Sequence, residues 1–391
     1  MLHHGAMRIR DFGVEIWMNR LETACRYNFA ETCVESITVE ALLGLAGIDR
    51  GALLGELLPM RLTYGAIEGT DRLRAAIAAF YQTATPADVL VTHGAIGANH
   101  LVYQALVEPG DIVVSIVPTY QQHTSIPESL GAEVRFLRLR EERGWLPDLD
   151  ELRSLAAGAK VIALVNPNNP TGSLLAQADL REIASIARHE GAWIVADEVY
   201  RGTDQEGAGT SPSLVDLYER TVGIGSMSKA FSLAGLRLGW ITGPRDVLGA
   251  VNRHRDYSVI SVGMVDDLLA SIALEARDTI LRRSRSIVRE NLATLDAWVT
   301  AEPGISYVKP RSGTTALLRY EGDLPSEALC LRLLETEGVL FTPGSALDIE
   351  GYLRIGYANN ATVLRDGLAR TSAFLAALAD GQAGATAGSA T

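Results

Sequence analysis

The sequence predicts an α/β protein: a large unit with a mostly parallel seven-stranded sheet between helices, and a smaller α+β unit. Three observations carry this. From about Glu68 onward, short apolar runs alternate with amphipathic stretches. The short runs are apolar throughout rather than at every second position, as strands covered on both faces require. After about Gly263 the text changes to long helix with charged faces, then to short alternating segments, which marks a second architecture.

In chain order, DRLRAAIAAFYQ reads as helix, DVLVTHG as strand, IGANHLVYQALVEPG as helix and DIVVSIVP as strand. TYQQHTSIPESLG is helix-like, AEVRFLRL strand, DLDELRSLAAG helix, KVIALVNPNN strand and QADLREIASIARHEG helix. AWIVADEVY, RTVGIGSMS and LRLGWITG complete the strands, and Gly or Pro punctuates the breaks. Residues 263–298 read as one long helix leading to ISYVKP, TTALLRY and YLRIGYA. The expected organisation is therefore a segment 1–45 joining the smaller unit, a large unit 46–262, and a long helix with the small unit over 263–379. The remaining 380–391 form a small, polar, pattern-free tail expected to be disordered.

Hydrophobic residues make up 47% of the chain, enough to bury more than one core. The net charge of −12 lacks the basic footprint of a nucleic-acid binder. No apolar run reaches the length of a membrane span, and the N-terminus has no apolar signal core. Cys25, Cys33 and Cys330 are odd in number and fit no zinc spacing. A cytoplasmic protein with reduced thiols and no metal is the expectation.

Ligands of such sheets sit beyond the carboxyl ends of the strands. Gly94, Tyr120, Asn169, Asp197 and Lys229 all stand just after apolar runs. Lys229 lies between serines, eight residues before Arg237, in GSMSKAFSLAGLRLGW. A lysine amine can condense with an aldehyde and carry protons; a solvated loop lysine is the plain alternative. Asp197 directly follows apolar WIVA, a costly place for an unpaired acid. Gly94, Ala95 and Ile96 open a helix after a strand, so their amides suit an anion. Ser226, Ser228 and Arg237 add hydroxyls and a cation. Arg354, between Leu353 and Ile355, offers a fork for a carboxylate, or is a surface strand arginine. NNPTG is a turn in any case, and Tyr120 alone could equally be a core tyrosine.

SMSKAFSLAGLRLGW, NPNNPTG and ADEVY, in one alternating α/β chain, resemble the class I/II aminotransferases, pyridoxal-phosphate (PLP) enzymes of fold type I. The resemblance runs from about Tyr64 to the end of the ordered chain. It implies that Lys229 carries PLP, that Asp197 holds the ring nitrogen, and that Tyr200 and Asn169 hydrogen-bond the ring oxygen. It places the phosphate on Gly94, Ala95, Ile96, Ser226, Ser228 and Arg237, stacks Tyr120 on the ring, and gives the substrate carboxylate to Arg354 beside Asn169. Tyr64, in LTYGAIEG, would reach the phosphate of a neighbouring subunit, which implies a homodimer.

In the family the N-terminal segment closes over the substrate side chain. Here it carries Asp11, Glu15, Glu22, Glu31 and Glu35 against Arg20 and Arg26. Glu15 beside Phe12 and Trp17 would suit a guanidinium; for the set as a whole, acids facing water are the alternative. Glu31 stands where many relatives have a small residue near the substrate carboxylate. This segment, with THGAIGANH and RDYSVIS, resembles a subgroup containing capreomycidine synthase and the oxygen-dependent PLP arginine oxidases and hydroxylases. An N-terminal histidine aids the oxidases, but none occurs here between His4 and His93, which leaves His93 and His100. The expectation is an aminotransferase acting on an L-amino acid and a keto acid, with an arginine-like donor. An oxygen- and PLP-dependent arginine oxidase or hydroxylase, or a capreomycidine-synthase-like enzyme of specialised metabolism, comes second. A PLP-binding regulator without turnover comes third, since no DNA-binding pattern accompanies the chain.

Overall fold

The computed structural model describes residues 9–381. The chain runs α1 (Gly13–Leu21), β1 (Tyr27–Asn28), α2 (Val39–Ala46), α3 (Arg50–Leu57), α4 (Asp71–Ala78), β2 (Val89–His93), α5 (Gly94–Leu106), β3 (Ile112–Val117), α6 (Gln122–Ser129) and β4 (Glu133–Arg138). It continues α7 (Leu149–Leu155), β5 (Val161–Val165), α8 (Gln177–Glu190), β6 (Trp193–Asp197), β7 (Thr221–Ser226), β8 (Leu238–Thr242) and α9 (Arg245–Arg255). Then come α10 (Met264–Glu275), α11 (Arg277–Ala301), β9 (Ile305–Tyr307), β10 (Thr315–Tyr320), α12 (Ser326–Glu337), β11 (Val339–Leu340), β12 (Thr342–Pro343), β13 (Tyr352–Gly356) and α13 (Ala361–Ala379).

The seven apolar runs form one seven-stranded sheet in the order β2-β8-β7-β6-β5-β3-β4. The architecture is α/β with a mostly parallel central sheet, as the sequence predicts. Strands β4, β3, β5, β6 and β7 pair in parallel, while β8 is antiparallel to both β7 and β2. A parallel return needs a crossover of about a dozen residues or more, usually a helix. The 227–237 link has none of that length, so β8 runs back alongside β7. This turn puts the end of β7, the start of β8 and the end of β2 on one edge: Ser226 pairs with Gly239 and Leu238 with His93.

Helices cover both faces of the sheet. On one, Leu101, Val102 and Tyr103 of α5 and Val251 of α9 pack on Leu90, Val195 and Ile241. On the other, Leu152 of α7 and Leu180 and Ile183 of α8 pack on Ile162 and Ile194. A second, four-stranded antiparallel sheet has the order β12-β13-β10-β9, and β1 pairs in parallel with β11. Its cluster holds Phe29, Phe341, Leu318 and Tyr357.

Two expectations need correction. Residues 263–298 are two helices, broken at Ala276 (φ −94°, ψ 15°). The break falls inside the stretch packed on the large unit, and the packing partner changes only later, within α11. Leu268 to Leu274 of α10 are buried with Leu73, Phe231 and Trp240 of the large unit, as are Ile280 and Leu281, whereas Val288, Leu292 and Leu295 of α11 enter the small-unit cluster. The packing boundary thus runs through α11 rather than at residue 263. The segment 1–45 is likewise shared. Trp17, Phe29 and Val34 join the small-unit cluster, but Val14 packs with Leu137 and Leu164, and Leu42 and Leu43 with Leu73. Of the tail expected at 380–391, residues 382–391 lie outside the described residues.

Among the described residues no helix is long and apolar enough to cross a membrane, and no group of three or more His, Cys, Asp or Glu could hold a metal. Cys25, Cys33 and Cys330 are free.

Gly239 is where β8 meets the start of α5: a Cβ there would lie 2.4 Å from the Gly94 carbonyl carbon and 2.5 Å from the Ala95 nitrogen. Gly239→Ala is expected to lower the urea-unfolding free energy by about 3 kcal/mol, the upper end of overpacking costs, because both obstructing atoms are backbone. An unchanged midpoint would show that β8 and α5 can part freely.

Candidate active site

A cavity of ≈ 320 Å³ opens at the carboxyl edge of the parallel strands, between the sheet, α1 and β13. It brings together Ala95 and Ile96 from α5, Tyr120 after β3, Asn169 after β5, Asp197 and Tyr200 from the end of β6, and Ser226, Ser228, Lys229 and Arg237 around the β7–β8 turn. Arg354 of β13, Glu15 of α1, and Glu31 complete the set. Two expected residues do not line it. Gly94 sits just behind, where a Cβ would lie 3.0 Å from an Arg237 guanidinium nitrogen. Tyr64 is 74% exposed and away from its own chain's cavity.

Asp197 forms one pole. Its Oδ1 accepts from the Val199 N–H at 3.2 Å and its Oδ2 from Asn99 Nδ2 at 3.0 Å. His123 Nε2 lies 3.5 Å from Oδ2, and His123 Nδ1 lies 2.9 Å from the Tyr103 hydroxyl. Asn99 and His123 were not expected from the sequence; their only signal is a polar residue within a buried helix turn.

The other pole is cationic. Arg237, in left-handed conformation (φ 48°), donates to the Ala234 carbonyl at 2.9 Å and approaches Ser228 Oγ at 3.5 Å. Among the described residues no carboxylate pairs with it. Ser226 Oγ accepts from the Ser228 N–H at 2.9 Å. The first turn of α5 adds amides without intrahelical partners.

Arg354 is 2% exposed. It donates to the Ala30 carbonyl (2.9 Å), Thr342 Oγ1 (3.0 Å) and Asn169 Oδ1 (3.4 Å), and its Nε has no partner. Burial pulls its guanidinium below the ordinary value, against the opposing pull of Tyr200, Tyr120 and Glu15. A buried guanidinium without a carboxylate demands an anion.

Glu15 Oε1 accepts from the Tyr120 hydroxyl at 2.7 Å. Burial, reinforced by that carboxylate, pushes the Tyr120 phenol far up. Phe12 packs on Tyr120 at 4.9 Å between centroids. Trp17 does not join Glu15 in a shared wall: its Nε1 donates to the Phe341 carbonyl at 2.8 Å and its ring belongs to the small-unit core. Of the remaining N-terminal acids, Glu22 lines the cavity, Glu31 lines it from an exposed position, and Glu35 turns to Arg283 at 3.5 Å.

Lys229 is partly buried, and its Nζ donates to Thr32 Oγ1 at 2.7 Å and lies 3.8 Å from Cys33 Sγ. Burial acts to lower the amine, but the acidic groups Cys33, Tyr200 and Glu15 outweigh it and hold the amine above its ordinary value. His93 and His100 do not line the cavity, and burial lowers both.

The family model for aminotransferases of class I and II matches residues 56–370. The chain belongs to this family. Like others of the class I and II aminotransferases, it is a PLP-dependent enzyme. It is similar to capreomycidine synthase of Streptomyces vinaceus, 31% identical over 94% of this chain and 95% of that one. It is 29% identical to an arginine–pyruvate transaminase of Pseudomonas aeruginosa over 84% and 86% of the two chains. A PLP-dependent aminotransferase structure from Streptococcus suis superposes with TM-score 0.91 at 40% identity, covering 94% of this chain and 98% of that one.

The residues fit the cofactor of the class I and II aminotransferases. PLP is anionic at its phosphate and basic at its ring nitrogen, and the cavity has a cation, hydroxyls and helix-start amides at one pole and a carboxylate at the other. His123 Nε2 has no hydrogen-bond partner behind that carboxylate. Replacing His123 by Leu orphans the Tyr103 hydroxyl and strips a neighbour from Asp197. It is expected to destabilise the protein by about 1–3 kcal/mol in chemical denaturation; a neutral result would remove the network from the account of the site.

Proposed function

We propose that the protein transfers the amino group of an L-amino acid with a cationic, arginine-like side chain to a keto acid. The observation that carries the side-chain assignment is Glu15. Its carboxylate lines the same cavity as Lys229 and Arg354, held by Tyr120 at 2.7 Å. Support comes from Glu22 and Glu31 on the same wall, and from a relative named for arginine and pyruvate.

When bound, PLP supplies an aldehyde that takes the substrate nitrogen and a ring that draws electrons from the substrate carbon. In this reading Arg354 grips the α-carboxylate beside Asn169, and Glu15 takes the guanidinium by a charge-assisted pair. Two fixed ends orient the Cα–H. Lys229 Nζ removes the Cα proton and later returns a proton. Asp197 keeps the ring nitrogen protonated, with Asn99 and His123 holding its carboxylate. Tyr200 and Asn169 donate to the ring oxygen, and Tyr120 packs on the ring. Ser226, Ser228, Arg237 and the amides of Gly94, Ala95 and Ile96 hold the phosphate.

Oxygen-dependent oxidation is the competing outcome. Among the described residues no histidine lines the cavity, which favours transfer. Purified enzyme given L-arginine and pyruvate is expected to form alanine equally in air and under argon. Oxygen consumption with ammonia release would replace transfer by oxidation. Glu15→Gln is expected to raise KM for arginine about tenfold or more, the worth of a hydrogen bond to a charged group, and to leave neutral amino acids unaffected. An unchanged KM would remove the cationic specificity.

We also propose a homodimer in which Tyr64 reaches the partner's phosphate pole. Tyr64, Leu62 (84% exposed) and Tyr257 (95% exposed) are large apolar side chains that a single chain leaves bare. Light scattering is expected to give twice the chain mass. Co-refolding Lys229→Ala with Tyr64→Ala is expected to restore about a quarter of wild-type activity, because hybrids then carry one native site. No recovery in a mixed dimer would place Tyr64 outside the partner's site.

A further inference from the structure

The reactive lysine has a neighbour that the proposed function leaves unused. Lys229 Nζ donates to Thr32 Oγ1 at 2.7 Å, and the other acceptor recorded for it is the Cys33 sulfur at 3.8 Å, a weak one. Thr32 is held from several sides. Its carbonyl accepts from Thr314 Oγ1 at 2.6 Å, and two residues on, the Val34 N–H donates to the Lys229 carbonyl at 3.3 Å. The Ile37 N–H then reaches the Ser232 carbonyl at 3.2 Å. The segment 32–37 is thus laced to the backbone of the lysine and of Ser232 just after it. A β-branched side chain on such a backbone has few rotamers, and Thr32 is buried. This hydroxyl is a fixed feature of the cavity wall.

We propose that Thr32 is a positioning residue that receives the Lys229 amine whenever the substrate displaces it from the cofactor. This rests on the reading of Lys229 as the PLP-bearing lysine. In that exchange the substrate nitrogen bonds to the cofactor carbon and the Lys229 nitrogen leaves it; one C–N bond forms, one breaks, and no electrons are transferred. The freed amine needs a partner, because a polar group taken from water without one is costly. Thr32 Oγ1 supplies it, on the wall of the cavity that holds the substrate. The hydroxyl therefore favours the exchange and keeps the amine within reach of the Cα proton.

The test uses holoenzyme of the wild type, Thr32→Val, Thr32→Ala and Thr32→Ser. Each is equilibrated with methylamine, which displaces lysine from the cofactor without needing the substrate side-chain pocket. Borohydride then reduces the mixture, and peptide mapping gives the share of residue 229 still carrying cofactor. The constant for displacement is expected to fall about tenfold in the Val and Ala variants and to stay within about threefold of wild type in Ser. A merely structural role predicts no rescue that follows the hydroxyl. Displacement at the wild-type level in a folded Val or Ala variant overturns the proposal. Wild-type protein with no cofactor on residue 229 before methylamine overturns the reading beneath it, a separate and visible result.

Discussion

The active cavity depends on one chain reversal. Strand β8 runs back against β7 and inserts between β7 and β2. Without that reversal, Lys229 after β7, Arg237 before β8 and Gly94 after β2 would not share an edge. The reversal works only because backbones approach closely at Gly239, which leaves no room for a side chain against Gly94 and Ala95. Placement of the amine, the cation and the helix-start amides follows from strand direction and one missing methyl group.

Around this turn the protein keeps charge imperfectly neutralised. Arg237 has no carboxylate among the described residues, and Arg354 is enclosed with its Nε unpartnered. Asp197 is held by the Asn99 amide and the Val199 N–H, with the His123 imidazole alongside, rather than by a fixed cation. Each arrangement costs stability in isolation. Together they make a bipolar cavity suited to an anionic, ring-bearing ligand that would offset those costs, the pattern by which functional sites break local rules.

Much of this was legible in the sequence, for identifiable reasons. The central strands β5 and β6 are buried at every position, so burial on both faces spells them out, while the edge strand β4 keeps charged residues. Lys229, Asp197, Asn169 and Arg354 sit in short motifs whose residue types are dictated by chemistry. Asn99, His123 and Thr32 carry no such mark: Asn99 reaches Asp197 across 98 residues and Thr32 reaches Lys229 across 197, and an isolated polar residue in a helix or loop announces nothing. The break at Ala276 was hidden because helix resumes at the very next residue, Arg277, and the apolar pattern runs on into the same core. The sharing of the first 45 residues was hidden likewise, since an apolar face does not name the core it will enter. Glu15 was readable as an acid near aromatics, but the aromatic that meets it is Tyr120, not Trp17.

The lacing of the N-terminal segment across the site has a consequence for biosynthesis. Thr32 meets Lys229 across 197 residues, and Ala30 meets Arg354 across 324. A nascent chain leaving the ribosome can assemble most of the central sheet while its first segment still lacks the strand it must join. The cavity around Lys229 therefore closes only after residue 354 has emerged, so any ligand held between its two walls is captured late in synthesis.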